Sequence, residues 1–257
     1  MISKPVRLVI WGLSSVVVLG TLLCAQPAAP AKGCSNATVH GRYGFAINGT
    51  INGNPITTVG QMATNGNGTI AGMETVSNNG AISNDLPILG EYTINPDCTG
   101  TAAITPQGGT KSTYNLTVIS GGTEIDLVET DNGTVESGNA KAKGPKACSS
   151  SALKGAYGLQ GSGTEVGFGP LVFGGQIVFH GDGTLDGTET ISVNGGIASG
   201  LKITGAYKVD KRCFGGAVIF VNNQGPVHLN LAAVNGERGV YLIQTDAGSL
   251  VSGFSQQ

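Results

Sequence analysis

Charged residues are scarce in this chain of 257 residues: Asp, Glu, Lys and Arg make up 12% of it, about half the usual share. Its 14 basic residues are scattered, and the net charge is -2. Binding to nucleic acid or to an anionic membrane needs clustered basic residues that displace counterions. We therefore expect no nucleic-acid partner. Because apolar residues make up 40% of the chain, we do expect a folded core.

Helical periodicity and familiar catalytic motifs are also missing. After residue 34, apolar residues do not recur at helical spacing over any long stretch. The chain has no Gly-x-Ser-x-Gly elbow and no Walker loop. The three histidines, His40, His180 and His228, are not at metal-ligand spacing. We expect no cofactor, no metal site and no motif-defined catalytic residue.

The N-terminus has the layout of a secretory signal peptide. Lys4 and Arg7 precede an apolar segment, 8–24, and small residues with prolines follow it. The apolar segment is shorter than the roughly 20 residues that a membrane-spanning helix needs. The sequence therefore predicts export, either to the periplasm or out of the cell. Cleavage is expected after Ala25 or Ala31, with no stable membrane anchor afterwards.

Removal of the signal peptide leaves an even number of cysteines. Cys24 raises the alternative of lipidation, but Leu23 before it is bulky where such sites resemble one another in having Gly, Ala or Ser. In an exported chain an even count predicts disulfides, because oxidising compartments let them persist. The four remaining cysteines, which allow three pairings, are Cys34, Cys98, Cys148 and Cys213.

The rest of the chain contains an internal repeat with an offset of 114 to 115 residues. Gly66-Asn-Gly-Thr69, for example, returns as Gly181-Asp-Gly-Thr184. Each copy has one cysteine at its start and one near its middle, so we expect each copy to close on itself. The predicted bridges are Cys34–Cys98 and Cys148–Cys213.

These features divide the chain into four parts. We predict a signal peptide at 1–31 and a first repeat at 33–140. A polar linker interrupted by Gly-Pro follows at 141–146, and a second repeat at 147–257.

Short extended runs alternate with turn signals in each copy, which indicates an all-β fold. Eight antiparallel strands in about 110 residues suit an up-and-down barrel, because closure removes exposed sheet edges. A Greek-key sandwich is the alternative, since local pattern does not fix topology. In the first copy the predicted strands are 42–49, 57–64, 69–77, 88–94, 99–105, 112–119, 123–130 and 134–141.

Two repeated carboxyls are the candidate ligand-binding residues. Glu74 and Glu189 share the apolar face of their strands by the period-two rule. A carboxyl there needs a hydrogen-bond partner or acquires a raised pKa. Tyr92 and Tyr207, on the inward face of the following strand, are placed to donate that bond. The alternative is a purely structural hydrogen bond to tyrosine or to the backbone.

The spacing of the glycines and turns resembles a known group of proteins. Gly41-x-Tyr-Gly-Phe45, Gly66-x-Gly-Thr69 and Gly90-x-Tyr92 are similar to the pattern of secreted soil-bacterial proteins of unknown function. More weakly, the chain resembles eight-stranded barrels of the allene oxide cyclase and dirigent type. That likeness implies a barrel architecture and carries no catalytic motif.

Three functions remain open at this point. The first is an exported, non-enzymatic protein that binds a small apolar ligand in each barrel. The second is a cyclase-like or isomerase-like enzyme that acts on an apolar intermediate through Glu74 and Glu189. The third is a structural or surface-interaction module with no small-molecule site.

Overall fold

The structure, a computed structural model, describes residues 33–144 and 147–257. Residues 33–257 form one compact unit. The predicted signal peptide and two residues of the predicted linker lie outside the described residues. The fold is all-β apart from two short 3-10 turns, at Asn36–Thr38 and Ser120–Gly122.

The first copy forms eight antiparallel strands in sequence order. Every predicted strand is present, and most are longer than predicted because the hairpin arms continue pairing up to their turns. β8 continues to Ala142, into the segment predicted as linker. The strands are β1 (His40–Ile51), β2 (Asn54–Asn65), β3 (Thr69–Asn78), β4 (Ala81–Ile94), β5 (Thr99–Pro106), β6 (Ser112–Ile119), β7 (Glu124–Glu129) and β8 (Thr134–Ala142).

The second copy has the same order of strands and turns, so the two-barrel layout resembles a repeat. Tight turns join successive strands, and most contain Gly or Asn at positive φ, as hairpin turns require. The strands are β9 (Lys154–Glu165), β10 (Gly169–His180), β11 (Thr184–Val193), β12 (Gly196–Val209), β13 (Phe214–Val221), β14 (Gln224–Val234), β15 (Gly239–Gln244) and β16 (Ser249–Gln256).

Both sheets close on themselves. β1 pairs with β8 from Tyr43 opposite Ala142 to Ile51 opposite Thr134. β9 pairs with β16 in the same way in the second copy. The up-and-down barrel is therefore confirmed, and the sandwich alternative is wrong. Side chains at alternate positions point into each lumen and form two separate apolar cores.

One end of each barrel is covered by the segment that precedes its first strand. The disulfide Cys34–Cys98 ties this segment to the β4–β5 turn, and Cys148–Cys213 does the same in the second barrel. Both bridges are the ones predicted from the repeat. Disulfides of this kind belong to an oxidising, extracytoplasmic environment.

The two barrels pack side by side through a third apolar cluster. Val59 of β2 is fully buried in this cluster against β13, β14 and β15. Side-chain hydrogen bonds also join the two barrels. For example, the hydroxyl of Tyr241 in the second barrel donates to Oδ1 of Asn139 in the first at 2.6 Å. The other members of the cluster are Phe214, Ala232, Val234, Ile243 and, partly buried, Ala46 and Phe254.

No helix within the described ranges has the length and apolar character needed to cross a bilayer.

Candidate functional site

The lumen of the second barrel contains a cavity of about 560 Å³. All eight strands of that barrel contribute to its wall, which is mostly aliphatic. Its size falls within the range of about 300 to 1,000 Å³ that is typical of small-molecule sites. The apolar lining residues include Leu159, Leu171, Phe173, Ile177, Ile191, Leu201, Ile203, Ile219, Val227, Leu229, Leu242 and Val251.

The cavity reaches one end of the barrel. Phe168, in the β9–β10 turn, and Asn222, in the β13–β14 turn, belong to its wall. The opposite end is covered by the segment held by Cys148, and Leu153 in that segment is fully buried. The second barrel is therefore a cup with an apolar interior, and its mouth lies at the β9–β10 and β13–β14 turns.

The first barrel has the same topology but almost no free volume. Its lumen contains a cavity of about 40 Å³. A single water needs about 10 to 15 Å³ by this measure, so the space suits a few waters and no drug-sized molecule.

Comparison of aligned positions explains why only one barrel is hollow. The ring of Tyr114, 8% exposed, fills the lumen where Leu229 lines the cavity. Phe45 likewise stands where the second barrel has Leu159. Exchanges in the opposite sense also occur, because Phe173 and Phe179 take the positions of Thr58 and Thr64.

Carboxyl groups add to the filling of the first lumen. Glu129 and Glu136 occupy inward positions of β7 and β8, and each is at most 8% exposed. The second barrel has Gln244 and Val251 at the aligned positions. The internal repeat gives no signal for Glu129 and Glu136, because neither is repeated, although period-two alternation places both on the inward face.

Glu189 lies within the wall of the large cavity. It is 8% exposed, and β11 places it between Leu185 and Ile191 on the inward face. Burial raises the pKa of its carboxyl. Among the described residues, none forms a hydrogen bond with this carboxyl. The sequence prediction that Glu189 faces an apolar interior agrees with its position here.

Other polar groups of the wall lie near the mouth. Glu165, the last residue of β9, accepts a hydrogen bond from Oγ of Ser249 at 2.9 Å. Asn222, Gln224 and Gln244 complete this polar rim. The cavity thus combines an aliphatic body, one buried carboxyl and a polar opening.

The tyrosines are not partners of the glutamates, contrary to the sequence expectation. The hydroxyl of Tyr92 donates to the carbonyl oxygen of Val39 at 2.6 Å. The hydroxyl of Tyr207 lies 2.8 Å from the carbonyl oxygen of Leu153. Both rings point toward the covered end of their barrel, where free carbonyls of the incoming segment compete successfully for the hydroxyl proton. Their role there is to hold that segment in place.

Glu74 belongs to a group of three buried carboxyls in the first lumen. Burial raises its pKa to about 7. Burial, followed by the negative charges of Glu129 and Glu74, raises the pKa of Glu136 to about 8. The pKa of Glu129 is also raised, mainly by burial. Oε1 of Glu136 has no hydrogen-bond partner among the described residues.

Metal-ligand geometry occurs at one place within the described ranges. Cys148, Cys213 and Glu237 have potential ligand atoms within 4.8 Å of one another. The two sulfurs are bonded to each other, so they are not available as thiolate ligands.

Comparison with known proteins adds no functional information: no family model, curated protein or solved structure matches this chain.

Proposed function

We propose that this protein is an exported, non-enzymatic binding protein that holds one small, predominantly apolar molecule in its second barrel. The observation that carries the proposal is the contrast between a cavity of about 560 Å³ in the second lumen and one of about 40 Å³ in the first. The expectation of a ligand in each barrel is thereby narrowed to one barrel.

Export is part of the same proposal. The N-terminal signal-like sequence and the two disulfides support release into the periplasm or the medium. The first barrel then has a structural role: it is filled by its own side chains and packs against the second barrel through Val59.

Native mass spectrometry of the mature protein from its own source tests occupancy. We expect one retained molecule per chain, and titration of the emptied protein with the fluorescent probe 1-aminoanthracene should show a single site.

A double variant tests whether the probe binds in the second lumen. Leu159→Phe with Leu229→Tyr introduces the two larger side chains that the first barrel has at these positions, and should weaken probe binding at least about tenfold. Leu89→Phe, at a surface position 66% exposed, is the control. Unchanged binding by the double variant would contradict the proposal.

A cyclase-type or isomerase-type enzyme is the second candidate. It is favoured by Glu189, a buried carboxyl in a cavity large enough for a substrate, where a neutral acid can serve in general acid catalysis. Glu74 borders too little space for a substrate, which would restrict this activity to the second barrel. Chromatography of a bound molecule before and after incubation distinguishes the two, because a binding protein returns the molecule unchanged.

A further inference from the structure

Glu189 is a buried carboxyl whose hydrogen-bonding capacity no described residue uses. It is 8% exposed and borders the cavity. Glu165, near the mouth, differs because Oγ of Ser249 donates to it. The carboxyl oxygens of Glu189 are not among the fully buried side-chain atoms that lack a partner, so they face the free space of the cavity. A ligand in this cavity can therefore supply a hydrogen-bond partner, in an apolar environment where such a bond is stronger than in water.

The surroundings of Glu189 favour its neutral form. The neighbouring parts of the wall are aliphatic, with Leu201 paired opposite Glu189 on β12 and Ile191 following on β11. Among the described residues, no Lys, Arg or His lines the cavity. Without a nearby cation, burial favours the protonated acid. A protonated carboxyl has one O–H donor, so its partner must be a hydrogen-bond acceptor.

We propose that the ligand of the second barrel carries a hydrogen-bond acceptor of the carbonyl class, which receives the O–H of Glu189 while its apolar remainder fills the lumen. This inference rests on the proposed binding function and specifies the ligand's polar group. The single buried donor predicts one such acceptor at the depth of Glu189.

A cationic amine is the competing ligand chemistry. An ammonium group would have to lose its hydration and pair with an ionised Glu189 in an aliphatic wall. Such a pair is favourable only when further hydrogen bonds complete it. The polar side chains that could do so, such as Glu165 and Gln244, are the last residues of their strands, whereas Glu189 lies four residues before the end of β11. A carbonyl oxygen requires only the one bond that Glu189 can donate.

Three probes with a common phenylalkyl body separate these cases. Hexylbenzene has no polar group, 6-phenylhexan-2-one has an acceptor and no donor, and 6-phenylhexylamine is a cation. Each is titrated against the emptied mature protein by displacement of 1-aminoanthracene. We expect the ketone to bind about tenfold more tightly than hexylbenzene, the amine more weakly than the ketone, and the ketone's advantage to decline as pH rises.

Two variants assign the effect to Glu189. Glu189→Leu removes the donor, so the ketone's advantage of about tenfold over hexylbenzene should disappear, and a far-UV circular dichroism spectrum like that of the native protein shows that the variant is folded. Glu189→Gln keeps an N–H donor that does not titrate. It should therefore retain the ketone's advantage and abolish its pH dependence.

The outcomes separate this inference from the proposed function. Equal binding of ketone and hexylbenzene, unchanged by Glu189→Leu, overturns the inference and leaves apolar binding intact. Preference for the amine also overturns it, because Glu189 would then act as a carboxylate. Failure of every probe to bind contradicts the proposed function itself.

Discussion

Tyr114 and Leu229 occupy the same place in the two barrels, one filling its lumen and the other lining a cavity. Each pairs across the sheet with the last residue of the next strand, Tyr114 with Glu129 and Leu229 with Gln244. The backbone register is thus the same, and the free volume differs because the side chains differ. If the two barrels arose by duplication, divergence at such positions would explain the difference in free volume between the two lumens.

Exchange of these two residues should affect stability in the first barrel and ligand binding in the second. Tyr114→Leu removes a buried ring from a filled lumen, and we expect the free energy of unfolding to fall by roughly 1 to 3 kcal/mol. Leu229→Tyr places a ring in an existing cavity, so we expect little loss of stability and weaker binding of 1-aminoanthracene. Urea unfolding of both variants measures the first effect. Equal destabilisation by the two would show that the second lumen is not hollow.

The repeat and the turns made the eight strands of each copy predictable from the sequence, and the matching cysteines selected one disulfide pairing. The barrel was preferred over a sandwich because closure removes exposed sheet edges, but local pattern did not fix the topology. The difference in free volume between the two lumens was not predictable, because it depends on how side chains from strands far apart in sequence meet. In the first lumen these side chains include Phe45, Tyr114 and Glu136. The Tyr92 hydrogen bond was mispredicted because its acceptor, Val39, lies in an irregular segment with no periodic pattern.

Stability should decrease as pH rises because of the carboxyls in the first lumen. The pKa of Glu74 is raised to about 7 and that of Glu136 to about 8, from 4.5. Below about pH 4.5 both carboxyls are protonated in the folded and in the unfolded state, and their contribution to the free energy of unfolding is fully present. Between about pH 4.5 and 8 the folded state binds more protons than the unfolded state, so the free energy of unfolding falls. Urea unfolding at several pH values measures this slope.

The variant Glu136→Gln isolates the largest contribution. Its amide has nearly the same shape and does not titrate, so we expect the decline between pH 4.5 and 8 to be smaller by on the order of 2 to 4 kcal/mol. Glu91→Gln, at an exposed position of the same barrel, is the control. An unchanged slope in Glu136→Gln would show that this carboxyl is not buried in the folded protein.

Contact between the barrels should make them unfold as one unit. Val59 is fully buried in the cluster that joins them. Val59→Glu would place a carboxylate there without a cation, at a cost on the order of 3 to 5 kcal/mol. We expect one calorimetric transition for the native protein and two for the variant, since each lumen keeps its own core. Leu89→Glu, on the outer surface, should retain a single transition. Two transitions in the native protein would contradict the coupling.

The two disulfides should differ in their effect on binding although they close loops of similar length. Cys34 and Cys98 are 64 residues apart, and Cys148 and Cys213 are 65 apart. The chain-entropy model therefore gives each bridge about 4 kcal/mol of stability. Replacement of Cys148 and Cys213 by Ser also frees the segment that covers the second lumen. We expect weaker probe binding in that variant under conditions where it remains folded. The matched Cys34→Ser and Cys98→Ser variant should lose similar stability and bind the probe normally, because its bridge covers the filled barrel. Equal loss of binding in both variants, measured by 1-aminoanthracene titration, would place the ligand outside the second lumen.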